Sequence, residues 1–102
     1  MKIAVDYDQT YTAAPELFTR FIQHAIELGH EVKIVTYRQR GFGAYNAYDN
    51  ADIEADAAKL GIEVIYSNGM PKRAVYNANI WIDDMPETIV NEAGIDIKVG
   101  DE

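Results

Sequence analysis

The residues best suited to chemistry in this chain are acidic, and they sit where short apolar runs stop. Ile3-Ala4-Val5 ends at Asp6, with Asp8 two positions on. A run VKIV over 32–35 ends at Thr36, and Ile80-Trp81-Ile82 ends at Asp83-Asp84. Lys72 follows Pro71, a residue that can open a helix at its first turn. Carboxylates gathered at one rim repel, since two unit charges about 4 Å apart cost on the order of 4 kcal/mol near a protein surface. A hard divalent cation relieves that cost. An all-oxygen donor set with room for water and a phosphate oxygen suits Mg²⁺. The acidic pattern therefore predicts a metal as well as a site.

Such residues need a scaffold that brings strand ends together. Between Pro15 and Gly29, Leu17, Phe18, Phe21, Ile22, Ala25, Ile26 and Leu28 recur at helical spacing. The segment 37–50 (YRQRGFGAYNAYDN) has no clear periodicity and reads as a long loop. Helix-forming residues resume over 51–60 and stop at Gly61, and 62–66 reads as a strand. Beyond the turn Ser67-Asn68-Gly69, a short helix is expected over 71–77. A strand over 80–82, a short helix over 86–93 and a last strand over 95–99 complete the pattern. Strand and helix alternate throughout. The expected fold is α/β: a single domain over 1–102, doubly wound and Rossmann-like, a three-layer sandwich around a mainly parallel five-stranded sheet. Ligands in such sheets bind beyond the carboxyl ends of the strands, where the strand order reverses. Asp6, Asp8, Thr36, Lys72, Asp83 and Asp84 all fall at that end, whereas His24 and His30 fall at the other.

Composition narrows the field further. With 102 residues, the chain has room for one core and none for a separate substrate domain. Seventeen acidic against nine basic residues, a formal charge of −8, argue against coating a nucleic acid. A small phosphorylated ligand stays compatible with that charge, because a bound cation reverses the field locally. The chain lacks cysteine, which excludes disulfides, thiolate metal sites and cysteine nucleophiles. No apolar run approaches a membrane span, and Met1-Lys2 leads straight into a strand-like run, so a cytoplasmic protein with no membrane partner is expected.

Taken together and in order, these residues resemble the motifs of the haloacid dehalogenase (HAD) superfamily. Asp6-Tyr7-Asp8-Gln9-Thr10 behind an apolar strand is similar to its Asp-x-Asp-x-Thr signature; Thr36, Lys72 and the pair Asp83-Asp84 are similar to its second, third and fourth motifs. The resemblance implies a phosphatase that uses Mg²⁺. Asp6 would be the nucleophile that forms an aspartyl-phosphate, and Asp8 the acid for the leaving oxygen and then the base for water. Thr36 and Lys72 would hold the phosphoryl oxygens. The metal set would be Asp6, the backbone carbonyl of Asp8, Asp83 as the first choice of second carboxylate, and Asp84 through a water or as a helix cap; those last two roles are exchangeable. Thr10 would fix the loop. The family usually has Gly where this chain has Gln9, so a positive φ at that position would strain it.

Only Tyr11 to Ala14 separate the first motif from its helix, and ten residues lie between Lys72 and Asp83, so neither gap can hold a cap domain. A HAD-like core without a cap implies an open site that takes a phosphorylated macromolecule or is covered by a partner, including a second copy in a homo-oligomer. Nucleotides, phosphorylated nucleic-acid ends, sugar phosphates and phosphoproteins all stay open as substrates. The 37–50 loop starts at the rim, and Arg38, Arg40 and Tyr45 are its candidate substrate contacts, an arginine for phosphate and an aromatic ring for stacking. A response-regulator receiver would need its phosphorylated Asp at the end of the third strand, where Tyr66-Ser67 stands, and a Toprim nuclease an earlier strand-end Glu. The remaining rival is a catalytically silent module that binds a phosphorylated ligand or partner.

Overall fold

Parallel strands buried on both faces need continuous apolar runs, and the computed structural model, which describes residues 1–40 and 50–90, forms its sheet from such runs. The strands are β1 (Lys2–Val5), β2 (Glu31–Thr36), β3 (Val64–Tyr66) and β4 (Ile80–Ile82). All pairings are parallel and the order is β3-β2-β1-β4. Among the described residues the sheet thus has four strands, and the fifth expected over 95–99 lies outside them.

Two helices run between the first three strands: α1 (Pro15–Glu27), with Pro at its start, and α2 (Ala51–Leu60), ended by Gly61 at φ +73°. Both pack on one face, where Ile22, Ala25, Ile53, Ala57 and Leu60 meet Ile3, Val5, Val32 and Ile34. The chain steps in one direction from β1 to β3, so right-handed crossovers put both helices on that side. It then reverses to reach β4 on the far side of β1, and the connection crosses the other face.

That second face differs from expectation. The helix anticipated over 71–77 is only a 3₁₀ turn, Lys72–Ala74, after which the chain extends. Val75, Tyr76 and Asn77 are poor helix formers. Tyr76 is also drawn under the sheet, packing with Ala4, Val35 and Ala78 and donating its hydroxyl to Glu31 at 2.6 Å. Asn79 then locks the return to the sheet, its N–H donating to the Lys2 carbonyl and its side chain accepting from the Lys2 N–H, both at 2.8 Å. A last short helix, α3 (Glu87–Val90), packs on the 3₁₀ turn, and the remainder of the helix expected over 86–93 lies outside the described residues. Among the described residues, no helix is long and apolar enough to cross a membrane.

Register sets the strand ends. Val5 pairs with Ile82 and with Ile34, so Asp6 and Asp83 leave the sheet side by side, and Thr36 ends β2 slightly beyond them. The Asp6 N–H donates to the Ile82 carbonyl at 2.9 Å, carrying the ladder one step past the strands. Ile34 is fully buried at the centre of the helix-covered face. Ile34→Ala is expected to lower unfolding free energy by about 2–5 kcal/mol, read by urea denaturation, with little change in the denaturant slope.

Candidate active site

Strand order reverses between β1 and β4, and the crevice opens there. A cleft of about 210 Å³ is lined by Asp6, Asp8, Gln9, Thr36, Lys72, Asp83 and Asp84, with Tyr37, Met85 and Thr88 at its mouth. The structure thus brings together every strand-end residue named from the sequence. A larger groove of about 500 Å³ runs between α1 and α2, but its charges pair among themselves, Arg20 with Glu16 at 2.7 Å and Lys59 with Asp56 at 4.0 Å.

Asp6 shares the strand parity of Ala4, so its side chain faces the side of the sheet from which Lys72 arrives. Lys72 is 1% exposed, and its ammonium lies 2.7 Å from Asp6 Oδ1 and 2.5 Å from Asp83 Oδ2. The other Asp6 oxygen accepts from the Thr10 hydroxyl at 3.1 Å. Thr10 also faces Asp84 Oδ1 at 3.2 Å, so one proton is shared between two carboxylates, and its oxygen accepts from the Asp84 N–H at 3.2 Å. Burial pushes the Asp6 carboxyl up to about 6, with Lys72 pulling against that rise. One cation therefore serves two buried carboxylates, and the cleft floor keeps surplus negative charge.

That surplus is the fit test for a cation. Asp6, Asp83 and Asp84 each offer a carboxylate oxygen, and these atoms lie within 4.8 Å of one another. The donors are all hard oxygens, as Mg²⁺ requires. The roles of the acidic pair differ from first expectation: Asp83, not Asp84, caps the chain beyond the strand, its Oδ1 accepting from the Met85 N–H at 3.0 Å. Both Asp83 oxygens accept hydrogen bonds, one of them from Lys72, whereas Asp84 Oδ1 meets the Thr10 hydroxyl, which favours Asp84 over Asp83 for direct ligation beside Asp6.

The loop after β1 is a single wide turn over Tyr7–Tyr11, closed by the Tyr11 N–H on the Asp6 carbonyl at 3.2 Å and the Thr12 N–H on the Tyr7 carbonyl at 3.0 Å. The turn is kinked at Gln9, which sits at φ +65°, and the Thr12 hydroxyl accepts from the Gln9 N–H at 2.9 Å. Asp8 points to the rim, where both its oxygens accept from Arg38 at 2.9 and 2.8 Å. Arg38 is bound to α2 as well, through Asp52, and its guanidinium lies 5.2 Å from the Tyr7 ring centre. Tyr7 and Tyr11 stack at 5.7 Å, and Tyr7 donates to Asp56 at 2.6 Å.

Two expected substrate contacts are placed otherwise. Arg38 holds Asp8 and does not line the cleft. Arg40 lies over the Tyr66 ring at 5.5 Å, away from the cleft, while Tyr66 donates to Glu54. Tyr45 and most of the expected lid lie outside the described residues. His30 meets the amino terminus at 2.8 Å, at the far end of the sheet. Sequence reasoning missed Asp52 and Asn50 as partners of Arg38, because an acid in the first turn of a helix reads locally as a dipole or capping residue. It also missed Tyr37, Met85 and Thr88 at the cleft mouth, which only the packing brings there.

Gln9→Gly is expected to raise unfolding free energy by about 0.5–1 kcal/mol, since Gly removes the left-handed strain but costs some chain entropy. The second expectation concerns Asp6 in EDTA. Its folded value lies above the usual 3.8, so its contribution is most favourable below about pH 4 and is lost as pH rises through 6. Asp6→Asn removes that loss, and thermal scans across pH should show the variant more stable by about 2–3 kcal/mol at pH 7, with the difference closing towards pH 4.

No family model, curated protein or solved structure matches this chain, so the case for function rests on the chemistry of the cleft itself.

Proposed function

We propose that this chain is a capless member of the haloacid dehalogenase superfamily and acts as a Mg²⁺-dependent phosphomonoesterase through an aspartyl-phosphate on Asp6. The observation that carries the reading is the convergence of Asp6, Asp8, Thr36, Lys72, Asp83 and Asp84 on one cleft at the reversal of strand order. The fuller form of the fold, a doubly wound five-stranded sheet with 95–99 as its last strand, belongs to the same reading.

Asp6, Asp84 and the Asp8 backbone carbonyl would hold Mg²⁺, with Asp83 behind them. When bound, the cation neutralises charge on the phosphate and lets it approach an acidic floor. Asp6 attacks phosphorus and the ester oxygen leaves with a proton from Asp8. Lys72, fixed between Asp6 and Asp83, keeps an ammonium beside the developing equatorial charge, and the Thr36 hydroxyl donates to a phosphoryl oxygen. Water then attacks the aspartyl-phosphate with Asp8 as base, freeing Asp6. Thr10 orients Asp6 and Asp84 and touches no substrate in this scheme. Among the described residues no cap covers the cleft, which in this reading is open to a phosphorylated macromolecule as well as to a nucleotide.

The test is release of phosphate from p-nitrophenyl phosphate by wild type with Mg²⁺, by wild type in EDTA and by Asp6→Asn. Turnover in the first alone is expected. Turnover that survives in Asp6→Asn would remove Asp6 as nucleophile. Absence of turnover from wild type, on this substrate and on nucleoside monophosphates, would leave the module that binds a phosphorylated partner.

A further inference from the structure

The guanidinium of Arg38 carries five N–H groups, and the structure uses every one. Nε donates to Asp8 Oδ2 at 2.9 Å and Nη2 to Asp8 Oδ1 at 2.8 Å. Nη2 also donates to Asp52 Oδ2 at 3.0 Å, and Nη1 to Asp52 Oδ1 at 2.8 Å and to Asn50 Oδ1 at 3.2 Å. The Tyr7 ring supports the guanidinium, and the Arg38 N–H donates to the Thr36 hydroxyl at 3.2 Å. Two bidentate forks on one planar cation define both its position and its plane. While these bonds hold, Arg38 has no donor for a phosphate. Its geometry is that of a connector: it ties the Asp8 carboxylate to the first turn of α2.

Resting on the phosphatase reading, we propose that Arg38 is a positioning residue, anchored by Asp52, that orients Asp8 as the base in hydrolysis of the aspartyl-phosphate. In that step a water oxygen bonds to phosphorus, its proton passes to a carboxylate oxygen of Asp8, and the bond between phosphorus and Asp6 breaks. Asp6 leaves as a carboxylate, and the products are inorganic phosphate and protonated Asp8. Asp8 enters this half of the cycle as a carboxylate, the form whose two oxygens accept from Arg38. Each Asp8 oxygen accepts one Arg38 donor and keeps a second lone pair, so Asp8 can take the proton from water while the fork still fixes its plane. Orientation of a base is worth a large part of its effect, because general-base catalysis depends on reach and alignment as well as on basicity.

A substrate with an easily displaced leaving group separates the two halves. Nitrophenolate departs without a proton, so forming the aspartyl-phosphate from p-nitrophenyl phosphate does not need Asp8 aligned. In rapid mixing with Mg²⁺, Arg38→Met is expected to release about one equivalent of nitrophenolate per site in a burst. Its steady-state kcat should fall about tenfold while KM falls in parallel, leaving kcat/KM within about twofold of wild type. Asp52→Asn leaves Arg38 and the site residues in place and guards against a misfolded first variant; it should show the same signature, with kcat down about threefold. A merely structural role would lower kcat/KM with kcat and give no burst. Either that result, or an unchanged kcat in both variants, overturns the inference while leaving the phosphatase intact. Wild type without Mg²⁺-dependent turnover removes the phosphatase reading and this inference with it.

Discussion

Lys72 Nζ lies buried between two carboxylates, 2.7 Å from Asp6 and 2.5 Å from Asp83, and the geometry of the cleft is organised by that contact. A buried ammonium without partners costs several kcal/mol, and so does each buried carboxylate. Neither can be placed without the other. The 3₁₀ turn that carries Lys72 must therefore sit against the ends of β1 and β4, and the strand register must deliver Asp6 and Asp83 to the same level. Burying these ions contributes little to stability in itself, since the desolvation of three ions offsets most of the attraction. What it contributes is specificity of position, since each ion has only one place where its partners meet it.

The balance is also deliberately incomplete in the electrostatic sense. One ammonium faces Asp6 and Asp83, and Asp84 stands beside them, its carboxylate accepting from the Thr10 hydroxyl that Asp6 shares. A cleft floor with surplus negative charge is a poor place for a phosphate and a good one for a hard cation. Burial raises the Asp6 carboxyl even with Lys72 in contact, and the neighbouring Asp83 charge adds to the rise. At the rim a second cation does the opposite job. Arg38 is shared by Asp8 and Asp52, holds Asp52 below the usual carboxylate range, and is itself held protonated by both. The floor thus keeps surplus negative charge, and the rim pairs its charges.

Strain is concentrated beside the same residues. The wide turn over Tyr7–Tyr11 presents Asp6 and Asp8 on one side of the sheet end and puts Gln9 at positive φ. Thr10 and Thr12 stabilise this backbone through side-chain hydrogen bonds, and the Tyr7–Tyr11 stack anchors it to the helix-covered core. A turn held from both sides keeps its shape at a local cost, the usual arrangement where function and stability compete.

Much of this was legible in the chain. Apolar runs of three or four residues stopping at Asp6, Thr36 and Asp83 marked both the strands and the rim, because a parallel strand buried on two faces leaves no other pattern. Pro15, Gly29 and Gly61 marked helix limits through backbone constraints that act locally. The collapse of the 71–77 helix to one turn was not legible, because Tyr76 is drawn under the sheet by contacts with Ala4 and Glu31 that are remote in sequence. The partners of Arg38 were hidden for the same reason: Asp8 and Asp52 lie thirty positions before it and fourteen after it. By itself, then, the sequence determined which residues stand at strand ends and that the acidic ones gather at one rim, since periodicity and net charge are local, additive properties. Only the tertiary structure decided which carboxylate caps, which ones face Lys72, and that Arg38 grips Asp8 instead of lining the cleft, because hydrogen-bond partners are chosen by distance and angle in three dimensions.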